Sequence, residues 1–158
     1  MNDPMFFLAS GVLQLLTAAF LGLLVGALLA EDALLIPYWR TLSPKSFYAL
    51  HPTYGPLLYK FFAPLTIAGP SSALFSAALA CAVSASGQWY SLATAVLSCL
   101  IIGIYVIYFK DTNDAFSKAA IAEDALAAEL ARWAAWHRRR TVIGVIAFVL
   151  ALMAIYRP

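Results

Sequence analysis

The chain has 158 residues, 63% of them hydrophobic and 11% charged, and a formal net charge of +2. Soluble domains run at roughly 45–50% apolar and about 25% charged, so this composition excludes a water-soluble domain and the small net charge argues against a nucleic-acid binder. Four membrane crossings of about 20 residues each use nearly the whole length, which leaves no room for a separate soluble catalytic module.

The first predicted span covers about Met5 to Ala30. The preceding Met1-Asn2-Asp3-Pro4 lacks the Lys or Arg of a signal peptide, and the apolar run exceeds the roughly 7–15 residues of a cleavable one, so the span is expected to remain. Within it Gln14, Ala18, Gly22, Gly26 and Ala30 recur at every fourth residue and predict a ridge of small residues headed by an inward-facing amide. Such ridges let helix backbones approach closely in lipid, here for packing within the chain rather than along a homodimer seam.

The first connection begins with Glu31 and Asp32 and continues through Tyr38, Trp39 and Arg40 to Ser43-Pro44, an N-cap followed by proline at the first helical position. It predicts a short interfacial helix from Pro44 to about Leu50, ending before His51-Pro52. The second span, about Leu57 to Val83, carries Pro64 and Pro70 and is expected to be kinked. Ser84 to Gln88 form a turn into the third span, about Trp89 to Phe109. The hydroxyls of these spans suit bonding to their own backbone, and Cys81 and Cys99 are expected as reduced, packed thiols.

Asp111-Thr112-Asn113-Asp114 reads as a run of capping residues, and the Ala-rich stretch from Asp114 to Arg140, free of Gly and Pro, predicts one long helix entering the fourth span. That span must start before Thr141, because Thr141 to Tyr156 reaches only about 24 Å; the span is placed at about 133–156. Asp114 with Lys118 and Glu129 with Arg132 are spaced to pair on the helix surface. Leu126, Leu130, Trp133, His137 and Arg140 share another face.

The expected fold is an all-α membrane protein: a single domain over 1–158, a four-helix antiparallel bundle with a cytoplasmic extension of the fourth helix. Every Lys and Arg except Arg157 lies on the side of the first and third connections. The positive-inside rule then puts segments 31–56 and 110–136 in the cytoplasm and both termini outside, in a membrane expected to be the bacterial cytoplasmic (inner) membrane. Phe6, Phe7, Trp89, Tyr90 and Tyr156 are read as an outer aromatic belt, and Tyr38, Trp39, Tyr54, Tyr59, Tyr108, Trp133 and Trp136 as an inner one.

The polar residues at the basic end carry whatever chemistry there is. Glu31 closes the small-residue ridge near a cluster of arginines, which makes it a candidate for ion pairing. His137 is read either as an interfacial residue or as a group titrating near neutral pH, beside Trp133 and facing Glu31 across the bundle. Arg140 is the deepest of the arginine triplet and lies on the inward face.

Glu31 after a Gly-containing first span, Pro52-Thr53-Tyr54, Thr112-Asn113, and the run from Trp133 through His137 to Arg140-Thr141 together resemble the anthrone-oxygenase-like family of small four-helix membrane proteins. The Trp-x-x-x-His-x-x-Arg-Thr run is the most specific part. This chain has Asp32 where the family commonly places a His, and its proline, Pro37, comes later. The resemblance implies oxidation of tricyclic anthrones by dioxygen without a metal or organic cofactor. His137 or Glu31 would then be the base and Arg140 the cation. Tyr54, Asn113 and Trp133 would form the ligand-binding wall. No metal-ligand spacing appears, and two histidines are too few for a metal or haem site.

Two functions follow from these residues. The first is a small accessory or structural subunit, packed against a larger membrane complex or as a homo-oligomer. The second is a cofactor-independent, anthrone-oxygenase-like enzyme or aromatic-ligand-binding protein with its site at the cytoplasmic interface. A transporter is disfavoured, because no charged residue lies mid-span.

Overall fold

The structure, a computed structural model, describes residues 4–156. Met1 to Asp3 and Arg157, on which part of the reading of the termini rests, lie outside the described residues. Four long helices carry the chain: α1 Met5–Thr41, α2 Pro44–Ala82, α3 Gln88–Ser117 and α4 Leu126–Tyr156. Each is long and apolar enough to cross a membrane, and among the described residues there is no strand. α1 packs on α2 and α4, and α3 packs on the same two, so consecutive helices are neighbours around an antiparallel ring. Leu8, Leu23, Phe75 and Ile107 are among many large apolar side chains that face outward, a surface suited to lipid. The protein is an integral membrane protein.

The helices outrun the bilayer. The 39 residues of α2 reach about 58 Å against a hydrocarbon core of about 30 Å, and its Pro44 end, next to Arg40 and Lys45, is the one that bears the basic connections. Here sits the largest apolar cluster, which includes Ile36, Trp39, Phe47, Phe109, Phe116, Leu130 and Trp133. The opposite half packs through small residues, with Ala73 and Ala77 of α2 against Ala95 of α3. There Gly22 accepts the Phe148 ring, and a Cβ on Gly144 would lie 3.2 Å from Val25.

The ridge on α1 turns out to be only half buried. Gln14 and Ala18 face the core, but Gly26 and Ala30 are exposed, and a Cβ on Gly26 would meet nothing within 4 Å beyond its own helix backbone. Leu21, Leu24, Val25 and Leu28 form the buried seam instead, since a 3.6-residue helix carries a strict four-residue row around its surface. Gln14 is 2% exposed, and its Nε2 has no hydrogen-bond partner. An unpartnered buried amide costs about 1–3 kcal/mol. Gln14→Leu is therefore expected to raise the unfolding midpoint in detergent, and a lower midpoint would show that the amide is satisfied.

Ser43 caps α2 as its sequence indicates, accepting from the Ser46 N–H at 3.2 Å. The helix does not stop before Pro52, however. It runs on through Pro52, Pro56, Pro64 and Pro70 as one element, which replaces the expected short helix and separate span. Each proline leaves the carbonyl one turn earlier without its helical donor, a cost that the neighbouring helices offset.

The expected helix from Asp114 to Arg140 is also corrected. Asp111 to Asp114 lie inside α3 rather than capping a new helix, and α3 ends at Ser117. Ala119 adopts φ 49°, with Ala120 N–H donating to Ala115 O at 2.9 Å and Ala119 N–H to Phe116 O at 3.2 Å. These bonds make a Schellman ending; Ser84 ends α2 in the same way, with φ 55°. The Tyr48 hydroxyl donates to Ile121 O and ties the connection down.

Candidate functional site

Two π-helical turns interrupt the regular helices at the basic end. Glu31–Leu35 lies in α1 and Tyr105–Phe109 in α3, each closed by an N–H bonding five residues back, Ile36 to Glu31 O and Lys110 to Tyr105 O. An inserted residue of this kind re-aims the side chains around it and is frequent at functional sites. Both turns contribute to one cavity of about 560 Å³, lined by Glu31, Tyr105 and Phe109 together with Trp39, His51, Asn113, Trp133 and Arg140. Its wall runs along the facing sides of α2 and α3 as far as Tyr59, Ile67 and Val106, each more than half exposed. The cavity is thus continuous with the lipid-facing surface between these helices.

Three polar side chains meet at one end. Glu31, His137 and Arg140 are 7%, 0% and 8% exposed. Arg140 Nη2 lies 2.9 Å from His137 Nδ1 and 3.4 Å from Glu31 Oε2, and His137 Nε2 lies 2.9 Å from Leu28 O. A carbonyl only accepts and a guanidinium only donates, so the proton of this imidazole is on Nε2 and its Nδ1 lone pair is occupied by Arg140. The two N–H bonds of Nη2 then serve His137 and Glu31. Glu31 Oε2 also approaches His137 Nδ1 at 3.4 Å, a contact between two acceptors of the same donor. The guanidinium sits 4.3 Å over the Phe109 ring, and its Nε–H has no acceptor.

This geometry separates the residues singled out by sequence. Glu31 and Arg140 line the cavity, whereas His137 stands behind them and orients Arg140. Trp133 is buried and lines the cavity, stacked on His137 at 5.3 Å with its Nε1–H on Asn113 Oδ1 at 2.9 Å. Asn113 thus fixes the indole as well as lining the wall. Tyr54 is 53% exposed and is not among the lining residues.

The full inward stripe of α4, from Leu126 to Arg140, is buried as its spacing predicts. The paired charges also meet, Lys118 with Asp114 at 2.7 Å and Arg132 with Glu129 at 3.0 Å. The inner belt needs correction: Trp39 and Trp133 are core residues, 4% and 3% exposed, in edge contact at 5.4 Å. His51 was missed altogether. Phe47, His51 and Gly55 fall on one face at spacings of four, a signal that appears only once the helix is carried through Pro52.

The candidate site is an apolar chamber walled by indole and phenyl rings, with a buried carboxylate and guanidinium at one end. The family model for anthrone oxygenase matches residues 56–150, more than half of the chain, and the protein belongs to that family. The match includes Asn113, Trp133, His137 and Arg140, while Glu31 precedes it. No curated protein and no solved structure matches the chain.

Proposed function

We propose that the protein is a membrane enzyme that oxidises an anthrone-type tricyclic aromatic to the corresponding quinone with dioxygen. The observation that carries this reading is the Glu31–Arg140 pair on the wall of an aromatic cavity. The cavity volume falls within the roughly 300–1,000 Å³ typical of small-molecule sites, and its opening toward lipid suits a substrate that partitions into the bilayer.

In the proposed reaction the Glu31 carboxylate takes a proton from the ring methylene, leaving the electron pair delocalised into the ring and its carbonyl oxygen. Dioxygen accepts that pair as a C–O bond forms, giving a peroxide anion beside Arg140, and Glu31 returns the proton. Loss of the second methylene proton with cleavage of the O–O bond releases water and leaves the quinone carbonyl. One dioxygen is consumed and one water formed per anthrone. His137 serves as a positioning residue: its lone pair is committed to Arg140, so the role of base falls to Glu31. Asn113 and Trp133 form the ligand wall, and Tyr54 has no part.

The accessory-subunit reading has no use for a carboxylate, a guanidinium and two indoles gathered on one chamber. The charge asymmetry supports a cytoplasmic position for the basic end, in a bacterial inner membrane.

The test is purified protein in lipid nanodiscs supplied with anthrone, following dioxygen uptake and anthraquinone formation. Equimolar uptake and product, faster than in empty nanodiscs, is the expected result. A rate equal to that of empty nanodiscs overturns the reading.

A further inference from the structure

The cavity holds a second polar group that the Glu31–Arg140 end leaves unused. His51 is 4% exposed and lines the chamber. Its imidazole is held firmly: Nδ1 lies 3.1 Å from Ser117 Oγ, and the ring packs against Phe47 at 5.4 Å and Phe116 at 5.5 Å. Gly55 makes the room, since a Cβ there would lie 3.1 Å from His51 Cε1 and 3.3 Å from Nδ1. Among the described residues Ser117 is the only hydrogen-bond partner of this ring, so Nε2 is the nitrogen left for a ligand. With the Ser117 hydroxyl donating to Nδ1, the proton of this buried imidazole is on Nε2 and makes it a single-point donor.

Its position relative to the other polar end is set by a run of ring contacts. Trp39 meets His51 at 5.8 Å and Trp133 at 5.4 Å, and Trp133 stacks on His137 at 5.3 Å. Two indoles therefore stand between the imidazole of His51 and the Glu31–His137–Arg140 cluster, and all but His137 line the same chamber.

An anthrone also has two ends. Its carbonyl oxygen and reacting methylene sit on opposite edges of the central ring, so a carboxylate and a guanidinium in mutual contact cannot address both edges. We propose that His51 binds the substrate's carbonyl oxygen through Nε2–H while Glu31 and Arg140 act at the methylene. This inference rests on the proposed oxidation of an anthrone and adds the orientation of the substrate. As the methylene proton leaves, negative charge collects on the carbonyl oxygen, where a fixed N–H donor favours the enolate over the ketone. Ser117 acts through His51 by holding Nδ1 and so keeping Nε2 toward the chamber.

The experiment uses the full chain in nanodiscs with anthrone under anaerobic conditions, reading the visible absorbance of the bound enolate, followed by turnover in air. His51→Phe is expected to retain anthrone, lose most of the enolate band and slow kcat by about 10²–10³-fold. His51→Gln, whose amide N–H reaches the same region, is expected to recover part of both. Ser117→Ala, which keeps the imidazole, is expected to reduce the enolate band less than His51→Phe does. If His51→Phe fails to fold, His51→Gln and Ser117→Ala decide the matter by the same readouts. Enolate band and turnover unchanged in the folded variants would overturn the role of His51 while leaving the enzyme reading intact. Failure of the unsubstituted protein to bind anthrone would overturn both.

Discussion

Glu31→Gln is expected to slow anthrone oxidation by about 10²–10⁴-fold in kcat, the range for removal of a general base, with little change in anthraquinone affinity. The two side chains have the same shape, and the amide oxygen can still accept from Arg140 Nη2, now 3.4 Å from Oε2. What disappears is the charge and the ability to take a proton. Glu31→Asp keeps both but withdraws the carboxylate by one methylene from the chamber, so an intermediate rate is expected. His137→Gln separates positioning from catalysis: Arg140 loses the ring nitrogen that orients it, while the base stays in place. Stopped-flow kinetics with quinone binding measured in parallel distinguishes these cases. Undiminished turnover in Glu31→Gln would place the base elsewhere and make the buried pair structural.

What could be read from the residues was whatever depends on local pattern. The four spans, the Ser43-Pro44 start and the inward stripe from Leu126 to Arg140 follow from hydropathy, capping and helical period, each of which acts within a few residues. That stripe alone turns His137 and Arg140 toward Glu31. Features set by tertiary contact were hidden. Pro52 reads as a boundary because proline disfavours helix in the residue before it, yet α2 passes through it and sets His51 one turn from Phe47 and Gly55. The π-helical turns at Glu31 and Tyr105 have no local marker. The chain turns off α3 at Ala119, two residues past its end, where a left-handed backbone would normally call for glycine; burial of Phe116 and the Tyr48–Ile121 bond hold it there. Trp39 and Trp133 resemble belt residues in sequence because an indole near a span end suits either the interface or a cavity wall. Their burial against Phe47 and Phe109 decides between them.

Arg140→Met tests the electrostatic logic from the other side. It leaves Glu31 buried without its counter-charge and His137 Nδ1 without a donor, and removing one partner of a buried pair typically costs about 3–5 kcal/mol. A large fall in the unfolding midpoint is expected, together with loss of turnover. Glu31→Gln combined with Arg140→Met removes both charges, and buried pairs replaced as a whole often cost little. The double variant should therefore regain most of the lost stability while remaining inactive. A pair that merely braces α1 against α4 would recover function along with the fold, whereas one that moves a proton and stabilises an oxygen anion cannot. Arg140→Lys completes the comparison: it keeps the charge but not the flat guanidinium that lies over Phe109 and aims Nη2 at both His137 and Glu31, so stability should survive better than turnover. A double variant as unstable as Arg140→Met alone would mean that the cost lies in the lost Phe109 contact rather than in an unpaired carboxylate.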